Sequence, residues 1–212
     1  INRANVIIST FGDLNLPEDK KAQWIAEAKV LRALHYFHIV RLFGAAPLRV
    51  EAADDLNNLS APKSSVNDIY DQIIDDLTSA INSGALPESY PDVDLGRVTV
   101  YAAEAILSDV YLTLEDYANA SNTANDIISS GMFSLEPDMY KIFSADEVTH
   151  AGDIFSVKFA RIDGLGTIMP NFLNNQQLGY SSAGWRVYLV NVEAPLIMNW
   201  DTIDKRHSLN LY

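Results

Sequence analysis

The sequence predicts a mostly α-helical fold of paired helices, followed by a smaller portion rich in strands and loops. Residues 18–43 form a long, largely apolar run that ends at Gly44, as a single long helix does. Over residues 66–81, apolar side chains recur every three or four positions, which is the spacing of one helix face. A third stretch, residues 97–131, orders small and aromatic residues as two closely packed helices do.

The composition is that of a folded protein with an acidic surface. Of 212 residues, 48% are hydrophobic and 20% are charged, which allows a substantial core. The formal net charge of −13 repels phosphate groups, so nucleic acids and anionic membrane surfaces are unsuitable partners. The absence of cysteine excludes disulfides, thiolate catalysis and cysteine-based zinc sites.

Two helices are predicted at the start of the chain. Residues 1–11 are short and apolar and are predicted to be helical. Pro17 suits the first turn of the long helix at 18–43, whose first two residues are acidic and match the positive end of the helix dipole. Gly44 then ends this helix, and Pro47 prevents its restart.

Basic residues cross the long helix at every third position. They are Lys29, Arg32, His35, His38 and Arg41. Because three residues turn a helix by about 300°, the series drifts around the helix and marks no single solvent-exposed face. We therefore expect neighbours on most sides of this helix, with Arg32 and Arg41 paired to carboxylates of adjacent helices. The same charges argue against a transmembrane helix.

The next helix is predicted to begin after a serine cap, at Ser64 or Ser65. Its apolar stripe consists of Val66, Ile69, Ile73, Leu77, Ala80 and Ile81. Asp75 and Asp76 are expected on the solvent side of this helix. After a loop, Asp94 is expected to help cap the helix that follows.

The following two helices are predicted to join near residues 114–116. Tyr111 and Tyr117 are expected to fill the seam between them. Ser108 and Ala120 stand at the small-residue positions of the tetratricopeptide pattern, which let antiparallel helices approach closely. The match is degenerate, because two later positions depart from the commoner residues.

The sequence changes in character after Gly131. Residues 154–159 alternate between apolar and polar side chains in the manner of a strand. Residues 161–184 are rich in Gly, Asn, Gln and Ser and have no clear period, which is typical of a functional or disordered loop. We therefore predict a helical tetratricopeptide-like region at 1–135 and a strand- and loop-rich region of the same domain at 136–212.

Several of these stretches carry a recognisable order of residues. The long helix contains Glu27-Ala28, Leu31-Arg32-Ala33, Tyr36-Phe37, Gly44 and Pro47-Leu48. The helical pair begins GRVTVYAAEAILSDVYLTLEDYANA at Gly96, and DIFSVKF follows it. Weaker features are Gly184-Trp185 and the DKR stretch from Asp204 to Arg206. Together, and in this order, they resemble the SusD/RagB family of the Bacteroidetes over nearly the whole chain.

The resemblance implies a SusD-like α-α superhelix and a lipoprotein on the outer face of the outer membrane. The lipid anchor would sit on an N-terminal cysteine that this sequence lacks, and the family's chains are longer. We therefore expect a fragment that lacks both ends. The resemblance also implies a SusC-like TonB-dependent transporter as partner. The implied ligand is usually a glycan, which the protein binds during polysaccharide utilisation without changing any covalent bond.

Aromatic and amide side chains concentrate at residues 171–186. Sugar rings present flat C–H faces to aromatic platforms, and their hydroxyls suit amides and arginine. The candidate ligand-binding residues are Asn174, Gln176, Tyr180, Trp185 and Arg186. The alternative is a loop whose amides bind its own backbone while Trp185 packs in the core. Tyr90 is a further candidate.

Metal and catalytic sites find little support in the sequence. His35 and His38 lie three apart on a helix without the carboxylate of a zinc motif, so we expect them to cap aromatic packing. The acidic loop at 92–96 lacks the further ligands of a calcium site. The acidic pairs 54–55 and 75–76 lack an aromatic frame and are expected to be solvated. We predict neither a metal nor a cofactor.

Three functions remain open. The first is a non-catalytic subunit that binds an oligosaccharide and delivers it to a transporter. The alternative is a helical-repeat scaffold that binds a peptide, but a scaffold has no need of the long polar loop at 161–184. The third, an enzyme acting on glycans, would require a catalytic role for the acidic pairs.

Overall fold

The computed structural model describes residues 1–53, 60–138, 141–142, 149–158, 199–201 and 203–204, which form five α-helices. The helices are α1 (Asn2–Thr10), α2 (Glu18–Phe43), α3 (Val66–Asn82), α4 (Val100–Thr113) and α5 (Tyr117–Ser130). Short 3-10 helices cover Phe11–Asp13 and Asp92–Asp94. The mostly helical fold class is thereby confirmed.

The chain divides into two compact units. The first contains Ile1–Leu135 and Ala151–Ser156 and therefore all five of the described helices. The second contains Glu136–His150 and Val157–Tyr212. Within the second unit, Trp200 Nε1 donates a hydrogen bond to Asp204 Oδ2 at 3.2 Å. That 136–212 belongs to the same domain as 1–135 stays a prediction.

The bounds of α2 follow from its end residues. Pro17 stands at the N-cap, and Glu18 and Asp19 occupy the first turn, next to the unpaired N–H groups. Gly44 follows the last turn with a φ of 67° and donates its N–H to Val40 O at 2.9 Å. A positive φ is open to glycine at little cost, so the predicted helix end is confirmed.

The core lies between successive helices of the first unit. α2 packs on α1 and α3, α3 packs on α4, and α4 packs on α5. The inward stripe of α3 includes Ile69, Ile73 and Leu77, all with no exposed surface. Each such side chain contributes about 1.5–3 kcal/mol through burial. The predicted stripe is correct at these positions, whereas Val66 at the start of the helix is 39% exposed.

The predicted contact between α4 and α5 is confirmed at the small-residue positions. Ser108 Oγ donates to Ala120 O at 2.9 Å, and Ala120 is buried. The prediction that Tyr117 fills the seam is wrong, because this residue is 63% exposed. Tyr117 is the first residue of α5 and follows the end of α4. Leu112, in the last turn of α4, is also 55% exposed. Tyr111 is partly buried against the core.

The predicted N-cap of α3 is correct, and the predicted N-cap of α4 is wrong. Ser65 caps α3 in a reciprocal capping box with Asp68. For α4 the cap is Thr99, whose Oγ1 accepts the Ala102 N–H at 3.1 Å. Asp94, predicted for this role, lies six residues before Val100 and instead accepts a hydrogen bond from Arg97.

Ser65→Ala is expected to lower the free energy of unfolding by about 1 kcal/mol, because the N–H of Asp68 loses its acceptor at 3.1 Å. Urea denaturation at pH 7 measures the change. Ser129→Ala is the matched control, since Ser129 is an exposed residue inside α5. Equal losses in the two variants would contradict a capping role for Ser65.

The strand predicted at 154–159 is wrong for its described residues. Residues 154–158 form bends and irregular chain, and a local hydrogen bond from Ser156 Oγ to Asp153 Oδ2 at 3.0 Å stabilises the turn. Ser134 N donates to Ala151 O at 2.9 Å and ties residues 151–156, which we call the return segment, to the chain after α5. Alternating apolar residues were misleading here, because Phe155 packs individually against the helical core.

Candidate functional site

The predicted sugar-binding residues lie outside the described part of the chain. They are Asn174, Gln176, Tyr180, Trp185 and Arg186, and their role stays a prediction. The acidic pair at 54–55 also lies outside it. The described residues nevertheless settle the roles of most other polar side chains that the sequence singles out.

Arg32 and Asp76 form a buried ion pair between α2 and α3. Arg32 Nε and Nη2 each donate to a different oxygen of Asp76 at 2.7 Å. The exposed fractions of the two side chains are 6% and 1%. The predicted pairing of Arg32 is confirmed, and the prediction that Asp76 is solvated is wrong. Its position three residues after Ile73 places it on the apolar stripe, a signal present in the sequence.

The same guanidinium organises the start of the chain. Arg32 Nη1 donates to Asn5 Oδ1 and to Val50 O, both at 3.0 Å. Asn5, itself 1% exposed, donates from Nδ2 to Arg49 O at 3.0 Å and to Glu51 O at 2.8 Å. These side chains therefore hold α1, α2, α3 and the segment after Leu48 together, and we call this set the buried network.

Tyr36 completes the attachment of the segment that follows α2. Its hydroxyl donates to Arg49 O at 2.9 Å and accepts from Arg49 N at 2.6 Å. Burial raises the pKa of Tyr36, which keeps the phenol protonated as a donor. The recognisable residues Arg32 and Tyr36 of the long helix thus have structural roles.

A second polar cluster fixes the loop between α3 and α4 on α2. Tyr90 Oη donates to Glu27 Oε1 at 2.6 Å and accepts from Gln23 Nε2 at 2.8 Å. Arg97 Nη2 donates to the same Glu27 oxygen at 2.7 Å, and its guanidinium carbon lies 4.8 Å from the centre of the Tyr90 ring. Protein groups therefore occupy the hydroxyl and one ring face of Tyr90, which favours a structural role over sugar binding.

Tyr90→Phe is expected to lower the free energy of unfolding by about 1 kcal/mol at pH 8, because Glu27 loses a donor in a partly exposed site. Burial and the hydrogen bond to Glu27 raise the pKa of Tyr90 to about 12. Because this pKa is raised in the folded state, the protonated tyrosine stabilises the fold at pH values below the unfolded-state pKa of about 10. That stabilisation is lost as the pH rises toward 12. The difference between wild type and variant should therefore shrink from pH 8 to pH 11 in denaturant titrations.

The control for this prediction is Tyr117→Phe, because Tyr117 is 63% exposed and no hydrogen bond of its hydroxyl is seen in the described part of the chain. It should change stability by less than about 0.5 kcal/mol. A Tyr90 variant as stable as this control would contradict the structural role of the cluster.

A cavity of about 220 Å³ lies between α2, α4 and the return segment. Its walls include Leu34, Phe37 and Ile106, and Ile154 and Phe155 line it from the return segment. Such walls fit a small apolar group. Among the described residues that line it there is no asparagine or glutamine, so the hydroxyl groups of a sugar would find partners only at its charged edge.

Charged residues stand at one edge of this cavity. Arg41 Nη1 lies 3.5 Å from Asp109 Oδ2, which confirms the predicted pairing of Arg41 with a neighbouring helix. Both side chains are about half exposed, so the pair contributes about 0–1 kcal/mol. The Arg41 guanidinium also lies 4.9 Å from the centre of the Phe37 ring and covers one of its faces.

The two histidines of α2 are exposed. His38 lines the cavity, and His35 Nδ1 lies 2.6 Å from Leu31 O. Together with Leu31 and Leu42 they form an exposed stripe, so the expected enclosure of α2 holds for its other sides only. No group of three or more His, Cys, Asp or Glu side chains in the described part could hold a metal ion.

Residues 1–112 match the sequence model of a family designated SusD-like and described as "Starch-binding associating with outer membrane". The chain belongs to the SusD-like family. The match spans α1, α2, α3 and nearly all of α4, and therefore both polar clusters described above. The resemblance that the sequence motifs indicate is confirmed.

Individual SusD-like relatives agree with this assignment. SusD-like protein P2 of Formosa agariphila is 29% identical over 227 residues, a match that covers 100% of this chain and 43% of that protein. The solved surface glycan-binding protein A from Bacteroides fluxus aligns with a TM-score of 0.73 at 26% identity, over 87% of this chain and 42% of that one. A solved laminarin-binding SusD-like protein gives 0.69 at 27% identity, over 73% and 34%.

These SusD-like relatives are much longer than the chain described here, which spans 43% of the length of SusD-like protein P2. Their structures support the tetratricopeptide-like helical fold. Within the described part of the chain, no helix has the length and apolarity that a membrane crossing requires.

Proposed function

We propose that this protein is a non-catalytic carbohydrate-binding subunit that captures an oligosaccharide at the outer face of the outer membrane. The observation that carries the proposal is the match of residues 1–112 to a family described as starch-binding and associated with the outer membrane. Two solved relatives, named as laminarin-binding and surface glycan-binding, support it.

The proposed ligand site is the polar and aromatic stretch of sequence at 171–186. Tyr180 and Trp185 stack on sugar rings, while Asn174, Gln176 and Arg186 bind hydroxyl groups. We expect dissociation constants between millimolar and micromolar for an oligosaccharide, or about −4 to −8 kcal/mol. The bound glycan is not cleaved and passes to a SusC-like TonB-dependent transporter.

The direct test is calorimetry with laminarin and malto-oligosaccharides. We expect binding, and we expect Tyr180→Ala to weaken it at least tenfold, which is about 1.4 kcal/mol. Tyr117→Ala removes an exposed tyrosine from α5 instead and should leave the affinity unchanged. Binding of peptides with no binding of any glycan would favour the helical-repeat scaffold.

The non-catalytic part of the proposal has its own measurement. Incubation with the same glycans should release no new reducing ends, whatever the pH. Turnover that disappears on Asp54→Asn or Asp55→Asn would overturn the proposal and favour an enzyme.

The transporter and the membrane location are tested together. When expressed with a neighbouring TonB-dependent transporter gene, the protein with its native leader should be labelled on intact cells and should copurify with that transporter. Recovery from the periplasm without the transporter would contradict both proposals.

A further inference from the structure

Glu104 lies within the interface between α4 and α5. One turn before it, Tyr101 packs edge-on against Phe133 with ring centres 5.4 Å apart. One turn after it, Ser108 donates its hydroxyl to Ala120 O. Residues three and four apart share a helix face, so Glu104 stands on the side of α4 that contacts α5.

One oxygen of this carboxyl group has no partner. Glu104 Oε2 is inaccessible to solvent and makes no hydrogen bond. An ionised carboxylate oxygen left in this state is unfavourable, because burial removes its water without supplying a donor. Burial, and then the repulsion of the Asp126 carboxylate on α5, raise the pKa of Glu104.

The two helices that form this interface, α4 and α5, supply no positive charge to this oxygen. The sequence has no Lys, Arg or His between residues 98 and 140, and Asp126 is the one charged residue of α5. The segment 131–135 has no charged residue, and Asp153 of the return segment adds a further carboxylate. Neither supplies a cation to the interface.

Among the described helices, α2 and α3 also contact α4. Arg41 of α2 pairs with Asp109 at the cavity, on a different face of α4 from Glu104. His38 lines that same cavity. The charged residues of α3 are all aspartates, namely Asp68, Asp71, Asp75 and Asp76, and Asp76 is bound to Arg32.

We propose that the Glu104 carboxyl group binds a proton more tightly in the folded protein than in the unfolded chain, so that packing of α5 on α4 is coupled to proton uptake. A proton neutralises the carboxyl group at an interface whose two helices contain no Lys, Arg or His. Because the folded form binds the proton more tightly than the unfolded form, this contribution is complete in acid. It is lost as pH rises above the usual glutamate value of about 4.5 and through the folded value.

The first test is an NMR titration of the Glu104 side-chain carboxyl carbon in the intact, calcium-free protein. We expect a midpoint above about 4.5, and we expect Asp126→Asn to lower it toward that value. Glu115→Gln, an exposed change at the turn between α4 and α5, should leave the midpoint in place. A titration midpoint at or below 4.5 for Glu104 in the wild-type protein would overturn the proposal. This measurement needs only the unmodified chain, so the proposal can be decided even if a variant fails to fold.

The second test measures hydrogen exchange of the α5 amides against pH. In wild type, protection of α5 should fall with rising pH more than the intrinsic exchange rate accounts for, and Glu104→Gln should abolish this excess. A Gln variant that loses protection equally at every pH would show a merely structural role. A Glu104 midpoint that moves down on adding calcium would show that a cation, not a proton, neutralises the site.

Discussion

Asp76→Ala is expected to lower the free energy of unfolding by about 3–5 kcal/mol, because it leaves the Arg32 guanidinium buried without its carboxylate. The pair has both nitrogen–oxygen distances at 2.7 Å and side chains 6% and 1% exposed, so water cannot replace the lost partner. A loss of this size is a large part of the roughly 5–15 kcal/mol that stabilises a typical domain. Chemical denaturation at pH 7 measures it.

The neighbouring residue provides the control for this prediction. Asp75 lies on the same helix and is exposed, so Asp75→Ala should change stability by no more than about 0.5 kcal/mol. Arg32→Ala should cost about as much as Asp76→Ala, and the double variant should lose much less than the sum of the two. Additive losses would show that the two side chains do not act as a pair.

Leu77→Ala is expected to lower the free energy of unfolding by about 2–5 kcal/mol. Leu77 has no exposed surface and lies where α3 faces its neighbours, so truncation loses buried methyl groups and leaves a cavity. The size of the loss depends on how far the surrounding helices can collapse into the space. Thermal and urea denaturation should agree on the direction of the change.

Leu135→Ala makes the same chemical change at a residue that is 95% exposed. It should alter stability by less than about 0.5 kcal/mol. If Leu77→Ala were equally mild, α3 would not form the centre of the first unit, and the described packing would be wrong.

The helices that sequence reasoning located correctly are those with local signals. The bounds of α2 follow from Pro17, the acidic first turn and Gly44, and the cap of α3 follows from Ser65. These signals act within one turn, so they can be read without knowledge of the tertiary structure. The pairing of Arg32 was also predictable, since a cation in an apolar helix requires a carboxylate.

The errors concern features that tertiary contacts decide. The spacing of Asp76 places it on the inward stripe of α3, but the partner that makes a buried carboxylate acceptable there, Arg32, is known only from the tertiary structure. The alternation at 154–158 suggests a strand, yet this segment meets helices and has no partner strand among the described residues. For the ligand site, residue chemistry predicts which side chains suit a sugar, but their arrangement depends on long-range folding that composition does not encode.

The buried network joins residues that are far apart in sequence, since Asn5 and Asp76 both bind the Arg32 guanidinium. These hydrogen bonds cannot form until all of these segments have come together. The first three helices must therefore assemble cooperatively, and α1, despite its position at the edge, should resist proteases nearly as long as α3 does. Trimming the chain before residue 6 would remove an acceptor from the buried Arg32 guanidinium and would lower the stability of the assembled helices.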